Sequence, residues 1–224
     1  MNQDIGQWLL ELLPGLVVSL ELSAVLLAIG LPAAILLALG LGSRTKALRV
    51  CTQVVVEIAK GMPSLVLIYV IYFGLPQVGV DLGAFISASV ALAISFAGYA
   101  CDSFKAGFDA VQAGQVEAAH ALGLGHTTTF LRVVLPQALK VALPPVIGWA
   151  IVYFQATSLA FAIAVPELLA RAYQLATTNF QYFSVIFLAA LIYAAICIPL
   201  SLVAEHMFTR NRTRTRRRRS AVVT

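Results

Sequence analysis

Charge is what this sequence has least of: only 11% of its 224 residues are Asp, Glu, Lys or Arg, against about 25% in soluble globular domains. Too few charges exist to cover a water-exposed surface, and the 60% hydrophobic content and mean hydropathy of +0.91 point the same way. An integral membrane protein is expected, with no room for a soluble enzymatic domain. Cysteine is scarce too. Cys51, Cys101 and Cys197 are odd in number, lie in or beside apolar runs, and read as small buried hydrophobes without a disulfide. Of the three histidines, His120 and His126 are six apart across a glycine-containing turn with no third ligand nearby, and His206 follows the last apolar run, so no metal site is assigned. A Gly-x-x-x-x-Gly-Lys-Ser/Thr phosphate loop is missing, which excludes an ATPase. Met1–Pro14 lacks Lys and Arg and carries Asp4 and Glu11, so a cleaved signal peptide is not expected.

What the sequence does contain is apolar runs. Five windows approach the roughly 20 residues that cross a ~30 Å hydrocarbon core: Gly15–Leu41, Val54–Gly74, Leu82–Ala100, Val141–Val165 and Ser184–Val203. The expected architecture is an all-α integral membrane domain of five transmembrane helices over residues 15–203, with a short N-terminus (1–14) and a basic tail (204–224). Thirteen of the fifteen basic residues fall on one side: Arg44, Lys46 and Arg49 in loop one, Lys105, Arg132 and Lys140 in loop three, and seven arginines from Arg210 to Arg219. Arg171 stands alone opposite, and Lys60 lies near the loop-one end of the second run. The positive-inside rule then puts the N-terminus outside and the C-terminus, loop one and loop three in the cytoplasm. The arginine tail directly follows a membrane helix and reads as an orientation anchor that attracts anionic headgroups, not as a nucleic-acid arm.

Polar residues inside apolar runs are costly and are candidates for function. Glu57 and Lys60 are three apart on one helical face, Asp102 and Lys105 repeat the spacing, and both pairs are expected to form local ion pairs. Glu21 is deeper and alone, available to a substrate amine or a donor from another helix. Gln155, Thr157 and Ser158 form the most central polar cluster. Thr and Ser hydroxyls bond readily to carbonyls of their own helix; the other reading is a midplane site for a zwitterion beside an interrupted helix.

Loop three is too polar to insert as a whole and too patterned for a linker. In "EAAHALGLGHTTTFLRVVLP" (Glu117–Pro136), Glu117, Ala118, Ala119, Ala121 and Leu122 favour helix and Gly123 supplies a left-handed stop. Thr127 is placed to cap a second short helix, and Pro136 to end the pattern. The small side chains leave a face that another protein can approach closely; an interfacial helix lying on lipid is the competing reading.

The spacing Glu117-Ala118-Ala119, Gly123, Val133, Leu135-Pro136 resembles the EAA loop of the permease subunits of bacterial binding-protein-dependent ABC importers. "KGMPSLVLIYVIYFGLP" (Lys60–Pro76), "GYACDSFKAGFDAVQAGQVEAAHALG" (Gly98–Gly123), "VVLPQALKVALPP" (Val133–Pro145) and "TSLAFAIAVPELL" (Thr157–Leu169) are similar to the polar amino acid (histidine/glutamine/arginine-type) branch. The resemblance implies a type I ABC importer permease fold in a bacterial inner membrane. It also implies two permeases, identical or homologous, two cytoplasmic ATPases that bind ATP and Mg, and an extracytoplasmic substrate-binding protein. Glu117, Ala118, Ala119, Gly123, Leu135 and Pro136 would belong to the segment that seats on the ATPase; the chain itself would bind no cofactor. Relatives often carry Lys-Asp before Thr-Ser-Leu, where this chain has Gln155-Ala156, a departure that bears on substrate. The alternative function is a self-sufficient channel or ion-coupled transporter using Glu21 or Asp102 as a relay, for which duplicated halves would be expected.

Overall fold

The computed structural model describes the backbone of residues 2–220 and the side chains of residues 5–206, so the arginines from Arg210 to Arg219 lie outside the described side chains. Among the described residues every regular element is helical. Helix α1 (Asn2–Leu41) starts well before the expected boundary at Gly15. Its extra turns are anchored: Leu12 is buried in a small core with Leu168, Ala172 and Ala176 of α8 (Leu168–Asn179) and Val185 and Ala189 of α9 (Tyr182–Ser220).

The second apolar window is corrected. It is not one straight helix over Val54–Gly74 but two pieces, α2 (Lys46–Gly61) and a segment starting with α3 (Ser64–Tyr69) and reaching Val78, bent by 101°. Pro63 is the cause, because its ring drives the residue before it out of the helical region. Met62 accordingly sits at φ −83° and ψ 127°. Among the described residues four helices are long and apolar enough to cross a membrane, and the bent pair supplies a fifth crossing if its halves are counted together.

Helix α4 (Gly83–Asp109) is the centre of the bundle, packed by α1, α2, α3 and α7. Ala88, Ala91, Ala97, Ala100 and Gly107 line it and are buried, so backbones approach closely where lipid offers no hydrophobic drive for association. A Cβ on Gly107 would lie 2.6 Å from Ala138 O.

Loop three also differs from expectation. One short helix, α5 (Ala113–Ala121), is separate; the second is only the head of a continuous helix over His126–Ile163. That helix runs as α6 (His126–Thr129), a π-turn (Phe130–Val134), α7 (Leu135–Ala156) and a 3-10 segment (Thr157–Ile163). Pro136 therefore opens α7 instead of ending a helix. The π-turn widens the helix around Arg132, whose carbonyl a proline at 136 would otherwise crowd. The same pairing recurs where the π-turn Val70–Gly74 precedes Pro76.

Candidate functional site

The EAA-like segment is organised by Gly123. At φ +79° it adopts the left-handed conformation, and Gly123 N bonds His120 O at 2.9 Å while Leu124 N bonds Ala119 O at 3.1 Å. These two bonds satisfy carbonyls at the end of α5 in the manner of a Schellman turn. The small residues divide: Ala119 is buried, whereas Ala118, Ala121 and Glu117 are exposed. Glu117 caps nothing, being mid-helix in α5, whose N-cap is Gln112. Thr127 likewise caps nothing, since Gly125 holds that position without a side-chain bond. Leu135 is half-buried and Pro136 exposed at the start of α7. The turn also brings the His120 and His126 rings to 4.9 Å, although no group of three or more metal-ligating side chains exists among the described residues.

Along the long helix, Trp149, Tyr153 and Thr157 recur at i, i+4 and i+8 and so share one face. Facing them, Ser95, Tyr99 and Asp102 share a face of α4. Tyr99 stacks on Trp149 with ring centroids 4.7 Å apart and donates to Lys60 O at 3.1 Å. Tyr153 and Ser95 hydroxyls are 2.7 Å apart, with Ser64 a further 3.2 Å from Ser95. Lys60 bridges Glu57 at 3.3 Å as expected, but it also bonds Asp102 at 3.1 Å. Lys105 turns instead to Asp109, at 2.6 Å. The expected Asp102–Lys105 pair is thus replaced by one that ties the end of α2 to α4.

Thr157 and Ser158 take the helix-satisfied geometry: Thr157 Oγ1 donates to Phe154 O at 2.7 Å and Ser158 Oγ to Gln155 O at 2.8 Å. Thr157 is fully buried, while Gln155 is exposed. Glu21 is also exposed and is not brought to this cluster; 200° around α1 from it, Ser19 is buried. The helix runs through Pro144 and Pro145 and breaks only at Ala164, where φ is +60°.

Just beyond that break lies the residue that sequence reasoning missed. Glu167 is completely buried and N-caps α8, accepting from Leu169 N at 2.8 Å and Ala170 N at 2.7 Å. Tyr193 on α9 donates to it at 2.9 Å and Ser19 on α1 at 3.5 Å, while Leu168 N donates to Ser19 Oγ at 3.2 Å. Burial pushes the Glu167 carboxyl above its ordinary range, against the backbone and hydroxyl donors that favour the anion. One carboxylate thus joins three helices. The available signal was an acidic residue at the start of a short helix, directly after Pro166.

Comparison with known proteins agrees with this architecture. Residues 30–215 match the family described as "Binding-protein-dependent transport system inner membrane component". The chain is 33% identical to the probable amino-acid ABC transporter permease PatM of Vibrio harveyi, over 88% of this chain and 91% of that protein. It is 34% identical to the L-cystine transport system permease TcyB of Bacillus subtilis, over 88% and 84%. The crystal structure of an amino acid ABC transporter with histidines superposes with a TM-score of 0.81 at 28% identity, covering 93% of this chain and 97% of that one. A central helix packed on four others, an exposed turn leading into a 38-residue helix, and these matches have one reading: the chain belongs to the family of inner membrane components of binding-protein-dependent transport systems.

Proposed function

We propose that this permease translocates an amino acid or a closely related small polar solute, and that Glu117–Pro136 couples it to a cytoplasmic ATPase. The chain is a transport subunit of an ABC importer, and hydrolysis belongs to a separate subunit. The relatives named for amino acids and L-cystine support the solute class. The assembly proposed is two permeases, this chain twice or with a homologue, two ATPases carrying ATP and Mg, and an extracytoplasmic binding protein. Its setting is a bacterial inner membrane, with the N-terminus outside and loop three and the tail in the cytoplasm.

The observation that carries the coupling reading is mechanical. Exposed α5 is fixed by the Gly123 turn to a helix that continues without a break to Ile163. A push on α5 is therefore transmitted along the face of Trp149, Tyr153 and Thr157. ATP binding by the partner biases one arrangement of these helices and the loaded binding protein the other, which is the requirement for alternating access. Exposed Gln155 is assigned to the solute pathway as the direct contact, with half-buried Ser158 beside it and Glu21 as a separate candidate; Thr157, fully buried with its hydroxyl on Phe154 O, serves that pathway by holding the helix in place. Gln155 and Ala156 carry no charge, which favours a solute without a charged side chain.

Gly123→Val tests the coupling. No atom lies within 4 Å of a Cβ there, so the cost is conformational, on the order of 1–3 kcal/mol for a left-handed non-glycine residue. In reconstituted vesicles the variant is expected to insert normally, to lose ATPase stimulation by the loaded binding protein, and to lose uptake. Parental ATPase association and transport would assign α5 to the lipid surface instead.

A further inference from the structure

The long helix ends in a segment whose two ends are touched by one side chain. Around the 3-10 turns, Phe154, Thr157, Ala160, Ile163 and Val165 are buried, whereas Gln155, Phe161 and Ala162 are exposed. Tyr193 of α9 meets the buried side. Its ring packs against that of Phe154 with centroids 5.4 Å apart, and its hydroxyl donates to Glu167 Oε2 at 2.9 Å. The ring thus holds the residue immediately before Gln155, and the hydroxyl holds a residue just past the break. That far end is fixed. Glu167 also accepts the two cap bonds of α8 and one from Ser19, and α1 packs so closely that a Cβ on Gly15 would lie 2.9 Å from Glu167 O. Between the ends stands Ala164 at φ +60°, a left-handed conformation that a residue with a Cβ keeps only when its surroundings impose it. Ala164 N bonds Phe161 O at 2.9 Å and Val165 N bonds Ala160 O at 3.2 Å. These bonds stay within the segment, whereas Tyr193 sets the distance between its two ends.

We propose that Tyr193 is a positioning residue for the solute: by holding Phe154 against the anchored Glu167, it sets where Gln155 and Ser158 stand in the pathway. The proposal rests on the assignment of Gln155 to that pathway and not on the coupling role of α5. Packing alone would be served by a phenylalanine. A hydroxyl directed at a buried carboxylate adds a fixed distance, because the bond is short and strong only in one geometry.

The test is a mutant cycle on the complete importer, with its ATPase and binding protein, in ATP-loaded vesicles. The probe is the radiolabelled L-amino acid that the parent accumulates fastest from a mixture of the common ones. Tyr193→Phe keeps the ring on Phe154 and removes only the bond to Glu167. It should slow uptake about tenfold, the low end of what one bond to a charged group contributes, while the ATPase still co-purifies. Gln155→Ala should slow uptake at least as much. The combination should be no slower than Gln155→Ala alone, since nothing is left to position. Losses that multiply in the double variant would show Tyr193 acting through general stability and overturn the proposal, as would parental uptake in Tyr193→Phe. Phe154→Leu cuts the other end of the tie and leaves the hydroxyl bond in place, so it carries the same cycle, with the same deciding outcomes, if Tyr193→Phe does not assemble. Parental uptake in Gln155→Ala, by contrast, would remove Gln155 from the pathway and the proposal with it.

Discussion

Removing the Glu167 side chain should loosen the end of the bundle where α1, α8 and α9 meet. In Glu167→Ala, Leu169 N and Ala170 N lose their acceptor, and Tyr193 OH loses the partner it meets at 2.9 Å. An N-cap contributes about 1 kcal/mol, and loss of the short bond from the Tyr193 hydroxyl to a carboxylate costs about 1–3 kcal/mol, since that hydroxyl keeps only a longer contact, 3.4 Å, with Ser19 Oγ. The loss sums to about 2–4 kcal/mol, and about 2 kcal/mol already lowers the melting temperature by roughly 4–8 °C in a chain of this size. Glu167→Gln keeps an acceptor for the cap and should stay within about 1 kcal/mol of the parent. The sign of the pH dependence separates the two further. The folded-state pKa is raised by burial, so the folded chain holds the proton more tightly than the unfolded one. Stability from this group is therefore greatest below the ordinary glutamate pKa of about 4.3 and falls as pH rises from there through the raised folded value. The parent should show that fall and Glu167→Gln should not. The assay is thermal unfolding in nanodiscs from acid to neutral pH. A Glu167→Ala protein that melts with the parent would refute the claim that this carboxylate holds the three helices.

Gly107→Ala should cost about 1–3 kcal/mol by overpacking, because its Cβ would lie 2.6 Å from Ala138 O and 3.0 Å from Ala142 Cβ; Gly148→Ala, with nothing within 4 Å of its Cβ, is the control for the same melting measurement. Lys60→Asp and Asp102→Lys should each impair uptake, and the double swap should recover part of it if the α2–α4 bridge matters; no recovery would reduce the pair to an exposed contact worth under about 1 kcal/mol. Topology is open to thiol labelling in a Cys51→Ser background, since Cys51 is exposed: Gln174→Cys should react from outside and Gly125→Cys only from inside, and the reverse pattern would overturn the orientation.

Composition and hydropathy alone determined the solvent, because a chain so short of charge has nothing with which to face water, and the five apolar windows were legible for the same reason. Local chemistry determined Gly123 as a left-handed stop, since only the residue itself and its neighbours are involved. Where a boundary depended on distant partners, the sequence fell short. The first helix extends back from Gly15 because Leu12 finds a core made by α8 and α9, more than 150 residues away. Pro63 was visible, but the 101° bend it causes was hidden by the apolar run on either side. The charge pairing was misjudged from spacing: Lys105 had two acidic residues within a turn, Asp102 and Asp109, and packing of α2 on α4 gave Asp102 to Lys60. Glu167 shows the limit most plainly. As a letter it is one acid outside an apolar window, and its role exists only once the fold has surrounded it with the α8 backbone, Ser19 and Tyr193, removing the water that would otherwise have solvated it.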